Sequence, residues 1–442
     1  MLRTIFVLAL IVVGAYYAVQ GPFYALLFYI GNAYFRPEEW VWIELIKKIN
    51  LSFLAGLLVL MMTLLRRQQF IMNGRIALVF LFLGHTFFSL LLSEHFAYSW
   101  PYWKDFCKAI VITYLIVVLV TDTTRFRLLL LVMALALGLE QAKQGWYYLV
   151  FPPDWGSGNP NPIAFLGDNN SVAVGMLMLV PVINFLMQTT QRKWVRRFYG
   201  VFLVGVLFRA LTTYSRGGFL ACLGMGGVYW LRSKQKLRFL LGIMVLMAIV
   251  IPALPTSFWD RINTIQTYEE DKSSTGRLHF WNVAIRMANA NPVFGVGFIA
   301  YNPSYDTYDF SQGEYATGRS VHSSFFGILA ELGYVGLLLY GAIFFSAFRS
   351  CQRVRKLAAR NLIPSELGYG AAALEASLTA FLIGGFFLPF QYTEMLWHFI
   401  GLTIVLGHLK DQFIAQRKTE PWLEAARDAS SSPALISTEN TP

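Results

Sequence analysis

Residues 171–197 read SVAVGMLMLVPVINFLMQTTQRKWVRR. The first eighteen carry no charge, and the nine that follow hold Arg192, Lys193, Arg196 and Arg197. Eighteen residues at a helical rise of 1.5 Å cover about 27 Å, close to the roughly 30 Å hydrocarbon core of a bilayer. The stretch predicts a membrane-crossing helix that ends in a cationic turn.

The same pattern recurs on both sides of it. Apolar runs predict spans at 4–20, 49–65, 76–93, 106–120, 128–150, 171–188, 198–211, 217–231, 237–254, 322–347, 369–388 and 392–408, so about twelve transmembrane helices in an all-α polytopic membrane protein. The first 35 residues admit two readings, one helix broken at Pro22 or two short spans. The single broken helix is preferred, which puts the N-terminus on the cationic side. An Arg3-led apolar start also fits a signal peptide, but no small-x-small cleavage site follows. Across the chain 56% of residues are hydrophobic and 14% charged, against roughly 25% charged in soluble domains, which excludes a soluble fold.

A net charge of +11 invites a nucleic-acid reading, but the cations sort by membrane side instead. Turns 66–75, 121–127, 189–197, 231–238 and 346–368 hold eighteen Lys and Arg, whereas turns 94–105, 151–170, 212–216 and 387–391 hold only Lys104 and Arg216. The positive-inside rule makes the first set cytoplasmic. The expected organisation is then a transmembrane bundle over 1–254, a large extracytoplasmic loop with short helices over 255–321, further transmembrane helices over 322–409, and a disordered cytoplasmic tail over 410–442. No pair of matching Gly/Pro-broken spans in the two halves points to a symmetric carrier. Cys107, Cys222 and Cys351 have no metal-type spacing and read as packing residues.

Three short segments on the outer side carry chemistry. In the loop, Glu269-Glu270-Asp271 precedes Ser274-Thr275-Gly276, and a helical pattern runs from Arg277 through Trp281, Ile285 and Ala288 to Asn291-Pro292. With Thr275 as N-cap, Arg277 sits in the first turn, where a cation opposes the helix dipole unless an anion converges on both. Pairing with Asp271 or Glu270 is the structural alternative. Tyr214-Ser215-Arg216-Gly217-Gly218 forms a turn in which the glycines suit either a phosphate cradle or a helical hairpin. Arg209 lies two helical turns deeper on the same face, and arginines at that depth are rare without a partner or a polar cavity.

Thr317-Gly318-Arg319-Ser320-Val321-His322-Ser323-Ser324 places a histidine at the outer mouth of a span. A histidine there either takes a proton from a hydroxyl acceptor or is a plain interfacial residue. Glu331, about 13.5 Å deeper at 1.5 Å per residue, reads as a structural partner for a backbone group or a neighbouring helix. Glu140, Lys143 and Gln144, Asp168-Asn169-Asn170, and Glu394 with His398 either line a polar cavity or pair with one another. No metal-ligand spacing adjoins these segments, so metal and cofactor are both read as none.

Together these motifs resemble the O-antigen ligase and O-antigen polymerase superfamily of bacterial membrane glycosyltransferases. The resemblance rests on Ser215-Arg216-Gly217-Gly218, Ser274-Thr275-Gly276-Arg277, Asn291-Pro292, Gly295-Val296-Gly297, His322-Ser323 and Glu331-Leu332-Gly333, in that order across about residues 160 to 345. Asp168-Asn169-Asn170 and Tyr268-Glu269-Glu270-Asp271 further resemble a branch of O-glycosylation ligases associated with exosortase systems. The resemblance implies a GT-C-like fold in the bacterial inner membrane with its active site facing the periplasm. It implies transfer of a glycan from undecaprenyl diphosphate to an acceptor hydroxyl, inverting and metal-independent, with membrane lipids as surroundings. The acceptor ranked first is the lipid A-core oligosaccharide, ahead of a growing polymer or a protein; a lipid-linked glycan transporter is the competing class. His322, Arg216 and Arg277 are the expected catalytic residues, and Arg216, Arg277, Arg319 and Arg209 the expected diphosphate-binding set.

Overall fold

The computed structural model describes residues 2–41, 50–151, 165–232, 236, 237, 240–242, 244, 248 and 272–431. The expected span at 237–254 falls largely outside these residues, as do Tyr268 to Asp271 and the end of the tail.

Fourteen α-helices are found among the described residues: α1 (Leu2–Ala18), α2 (Pro22–Phe35), α3 (Leu51–Leu65), α4 (Gly74–Leu91), α5 (Phe96–Leu119), α6 (Thr123–Val150), α7 (Asn169–Thr189), α8 (Lys193–Leu211), α9 (Arg216–Arg232), α10 (Lys272–Ala290), α11 (Tyr301–Tyr308), α12 (Ser324–Ala359), α13 (Ser365–Gly384) and α14 (Glu394–Ser431). Four of them, α4, α7, α12 and α13, are long and apolar enough to cross a membrane, and α1 and α3 are shorter apolar helices. The chain is therefore a membrane protein whose described residues fold as helices and their connections.

The N-terminal expectation is corrected. Residues 2–35 are two helices folded back on each other, not one broken helix. The ring of Phe28 packs on Gly14, Tyr17 meets Tyr24 at 6.3 Å, and the Arg3 guanidinium lies 4.3 Å over Trp40. Gly21-Pro22 makes the reversal, because proline is accepted in the first turn of a new helix but not inside an old one. The tail also differs: the segment read as disordered from Lys410 continues α14 as far as Ser431, and its Gln, Arg, Lys, Glu, Leu and Ala content favours helix.

Within the bundle, α6 and α8 approach most closely where small residues meet. A Cβ on Gly145 would stand 1.9 Å from the Gly205 carbonyl oxygen, so only glycine fits there, as in small-residue membrane interfaces generally. Helix α12 is broken at Gly333, whose φ of 67° and ψ of −171° are not helical. In lipid, groups freed by such a break need partners, and they have them. The hydroxyl of Ser89 donates to the Glu331 carbonyl at 2.7 Å, His85 Nε2 lies 2.9 Å from the Leu332 carbonyl, and Tyr334 N–H donates to Pro292 at 2.8 Å.

The Asn291–Gly297 segment docks onto this break. Val296 N–H donates to Ala330 at 2.9 Å and Gly297 N–H to Glu331 at 3.2 Å. Gly295 has φ +67° and a Cβ there would lie 2.3 Å from the Glu331 backbone, which explains a glycine at that point in the motif. Helices α10 and α11 thereby sit on the N-terminal half of α12, sharing a small core of Phe280, Val283, Met287, Tyr301, Tyr305 and Val321.

Candidate functional site

Three helix starts meet at one end of the bundle. Asp168 caps α7, accepting from Ser171 N–H at 2.8 Å. Ser215 accepts from Gly218 N–H at 3.1 Å at the start of α9 and donates its hydroxyl to Asn170 Oδ1 at 2.6 Å. Ser323 caps α12 through Phe326 N–H, while the Ser324 hydroxyl donates to the Leu388 carbonyl at 2.8 Å and accepts from Phe390 N–H at 2.9 Å.

Ser215 thus ties the Arg216 turn to Asn170, beside Asp168. The turn is joined to the His322 mouth through the 385–391 connection, because Gly217 packs so tightly on Phe387 that a Cβ would fall 2.7 Å from the phenylalanine Cβ, and Ser324 bonds to Leu388 and Phe390 of the same connection. Gly218 is held equally close to Ala173 of α7, at 2.6 Å. The glycine pair read as either a phosphate cradle or a hairpin is thus explained first by close packing.

His322 is half-buried between buried Val321 and Ser323 and holds a left-handed φ of +46°. For a non-glycine residue that conformation is strained and persists only where neighbours fix it, as Ser323 and Ser324 do here. Burial pushes the His322 pKa below 6.5, the nearby Arg277 and Arg319 guanidiniums push it lower, and Asp168 opposes them. At neutral pH the ring is therefore an uncharged imidazole able to accept a proton, with two cations and one carboxylate around it.

The loop helix brings Arg277 to this place from one turn further along than the sequence suggested. α10 begins at Lys272, before the expected Thr275 cap, so Arg277 is not in the first turn and the dipole argument made for it no longer applies. A side-chain network absent from the sequence reading anchors the rest of the loop. His279 Nε2 meets Asp309 Oδ1 at 2.6 Å, and Tyr305 and Ser311 also donate to Asp309. Burial opposes charge on Asp309, but the bonds from Ser311, His279 and Tyr305 prevail and hold its pKa down to about 2. Asp306 accepts from Gly318 N–H at 3.0 Å, next to Arg319.

Arg209 belongs to a different set of contacts. It is buried between α6 and α8, with Nε donating to Gln141 Oε1 at 2.9 Å and the guanidinium 5.4 Å over Tyr148. Gln141, with Glu140, Lys143 and Gln144, lines a cavity of about 430 Å³ that also touches Tyr34, Arg36 and Phe165. Both readings of that group hold, since Glu140 and Lys143 also pair at 3.2 Å. Glu394 and His398 lie 3.9 Å apart, and Tyr34 meets His398 Nδ1 at 2.9 Å. Glu331 is buried and its carboxylate accepts from Tyr392 at 2.9 Å, a partner of the kind expected for it.

Residues 206–341 match a family model described as O-antigen ligase. That segment contains Arg209, Arg216, Arg277, Arg319, His322 and Glu331, and omits Asp168 and Asn170. The chain is also 27% identical over 188 residues to the exopolysaccharide production protein ExoQ of Rhizobium meliloti (strain 1021), covering 38% of this chain and 41% of that protein. The two matches support the O-antigen ligase and O-antigen polymerase superfamily as the one this chain resembles.

Proposed function

We propose that the chain is an O-antigen ligase that transfers a glycan from undecaprenyl diphosphate to a hydroxyl of the lipid A-core oligosaccharide, at the end of the bundle opposite the cationic turns and facing the periplasm. The observation that carries this reading is the neutral His322 within the charge field of Arg277, Arg319 and Asp168, inside the segment matched to the ligase family.

In this reading the acceptor hydroxyl oxygen forms a bond to C1 of the donor sugar while the C1–O bond to the lipid diphosphate breaks. His322 takes the hydroxyl proton, and the diphosphate leaves with the electron pair. Arg216, Arg277 and Arg319 stabilise the charge that grows on the phosphate oxygens, which lowers the barrier more than it strengthens substrate binding. Attack from the face opposite the leaving group inverts the anomeric centre. Arg209, committed to Gln141 and Tyr148, supports the site from the α6–α8 interface.

Purified protein in micelles, given lipid-diphosphate-linked glycan and lipid A-core, is expected to form product in the presence of EDTA; a transporter would form none. A second reading is an exopolysaccharide polymerase, in keeping with the similarity to an exopolysaccharide production protein of Rhizobium meliloti. A deletion strain separates the two. Lipid-linked polymer beside unmodified core supports the ligase, and accumulated single repeat units support the polymerase.

A further inference from the structure

At the cationic end, α4, α12 and α14 enclose a cavity of about 320 Å³ lined by Asn73, Arg75, Phe345, Arg349, Arg353, His408 and Lys410, among others. Its charges do not balance. Four cations line it against one carboxylate, Asp411, which pairs with Lys410 at 2.9 Å. Among the described residues no carboxylate lies within 4.0 Å of a nitrogen of Arg75, Arg349 or Arg353.

Arg75 is fixed as one wall of the cavity. Its Nη1 donates to the Thr403 carbonyl at 2.8 Å, its Nη2 to the Thr403 hydroxyl, and its Nε to Ser346 Oγ at 3.4 Å. Asn73 caps α4 with Oδ1, so its Nδ2 is the donor to His408 Nε2 at 2.7 Å. That arrangement leaves the ring proton of neutral His408 on Nδ1. The wall is thus preorganised, while Arg349 and Arg353, one turn apart on α12, are exposed.

The outer surface of α12 says which anion fits. Leu338 is 73% exposed and Phe345 66% exposed, and with Arg349 and Arg353 they fall at spacings of seven, four and four on one helical face. An apolar stripe thus runs along the membrane-facing side of α12 straight into the arginines, with Arg349 stacked 6.0 Å from the Phe345 ring. Free phosphate needs only the cations; a phospholipid needs the cations and the stripe together.

We infer that this cavity binds the phosphodiester headgroup of an anionic glycerophospholipid, with an acyl chain lying along Leu338 and Phe345. Basic pockets between helices recognise lipid headgroups in this way. The site is separate from the glycan chemistry at the other end and stands whether or not that proposal holds.

The test uses delipidated full-length protein in detergent, its melting temperature followed by tryptophan fluorescence. Phosphatidylglycerol is expected to raise the melting temperature, and neither phosphatidylcholine nor inorganic phosphate is expected to do so. The Arg349→Gln/Arg353→Gln variant should need about tenfold to thirtyfold more phosphatidylglycerol for the same rise. The single Arg353→Gln change should show a smaller loss, so a double variant that folds poorly does not end the test. An equal response to phosphatidylcholine or to inorganic phosphate, or an unchanged response in both variants, overturns the inference.

Discussion

Among the described residues, both ends of the bundle hold arginines and a carboxylate, and they use them in different ways. At the cationic end, buried Glu375 directly contacts both Arg232 and Arg355, the latter at 2.8 Å. The carboxylate is consumed by the cations, and the triad joins α9, α12 and α13. At the other end Asp168 is engaged in capping α7, and it and the guanidiniums of Arg277 and Arg319 act in opposite directions on the charge of the His322 imidazole. A carboxylate near arginines therefore does not by itself define one kind of site. Glu375 touches its arginines, whereas Asp168 is bonded to the start of α7 and acts on a neighbouring imidazole.

The sharpest way to break this comparison is at His322. On the proposed mechanism His322→Ala removes the proton acceptor and lowers product formation in the micelle assay by about 10² to 10⁴, with little change in melting temperature. Activity that survives His322→Ala but is lost in Arg216→Ala would retain the anion site and discard the base.

The triad answers to stability instead. Glu375→Ala leaves two partly buried arginines without their carboxylate, and breaking a buried pair from one side costs about 3 to 5 kcal/mol. The lower end is expected, because the arginine side chains are 26% and 29% exposed. The check is thermal or denaturant unfolding in detergent. If Glu375→Ala melted like the wild type, the triad would not be the joint described here.

Close packing around Arg216 gives a smaller effect. Gly217→Ala places a methyl 2.7 Å from Phe387 Cβ, and overpacking of this kind typically costs about 1 to 3 kcal/mol. The expected result is a lowered melting temperature with a matching loss of activity as the Arg216 turn and the 385–391 connection separate. An unchanged melting temperature would show that the connection yields freely.

How much of this was legible in sequence differs residue by residue. Membrane character followed from uncharged runs such as 171–188, since span length is a one-dimensional property. Glu331 reads in the sequence as a partner for a backbone group or a neighbouring helix, and in the fold its buried carboxylate accepts from Tyr392. The start of α10 was missed: Ser274-Thr275-Gly276 looks like a cap, but the helix continues back to Lys272. The His279–Asp309 pair and the Gln141 partner of Arg209 had no sequence signal, because residues 30 and 68 positions apart are brought together only by tertiary packing. Asp168 reads as polar in the sequence, yet its influence on the charge of His322 arises only in the folded chain, since the two lie 154 positions apart in sequence.

That influence permits the finest test of the comparison, through pH. A histidine whose pKa is lowered stays neutral at pH 7, so turnover that needs the free base is retained at neutral pH and falls as pH drops through a midpoint below 6.5. Asp168→Asn keeps a good helix cap but removes a charge that raises the His322 pKa, so the acid limb should move to lower pH. Arg319→Gln removes a cation that lowers it, and the limb should move to higher pH. Opposite movements in the two variants, read from rate profiles at constant ionic strength, require that both groups act on the same ring. A limb that stays in place in both would mean that His322 is not the group titrating, and that the two ends of the bundle are more alike than their geometry suggests.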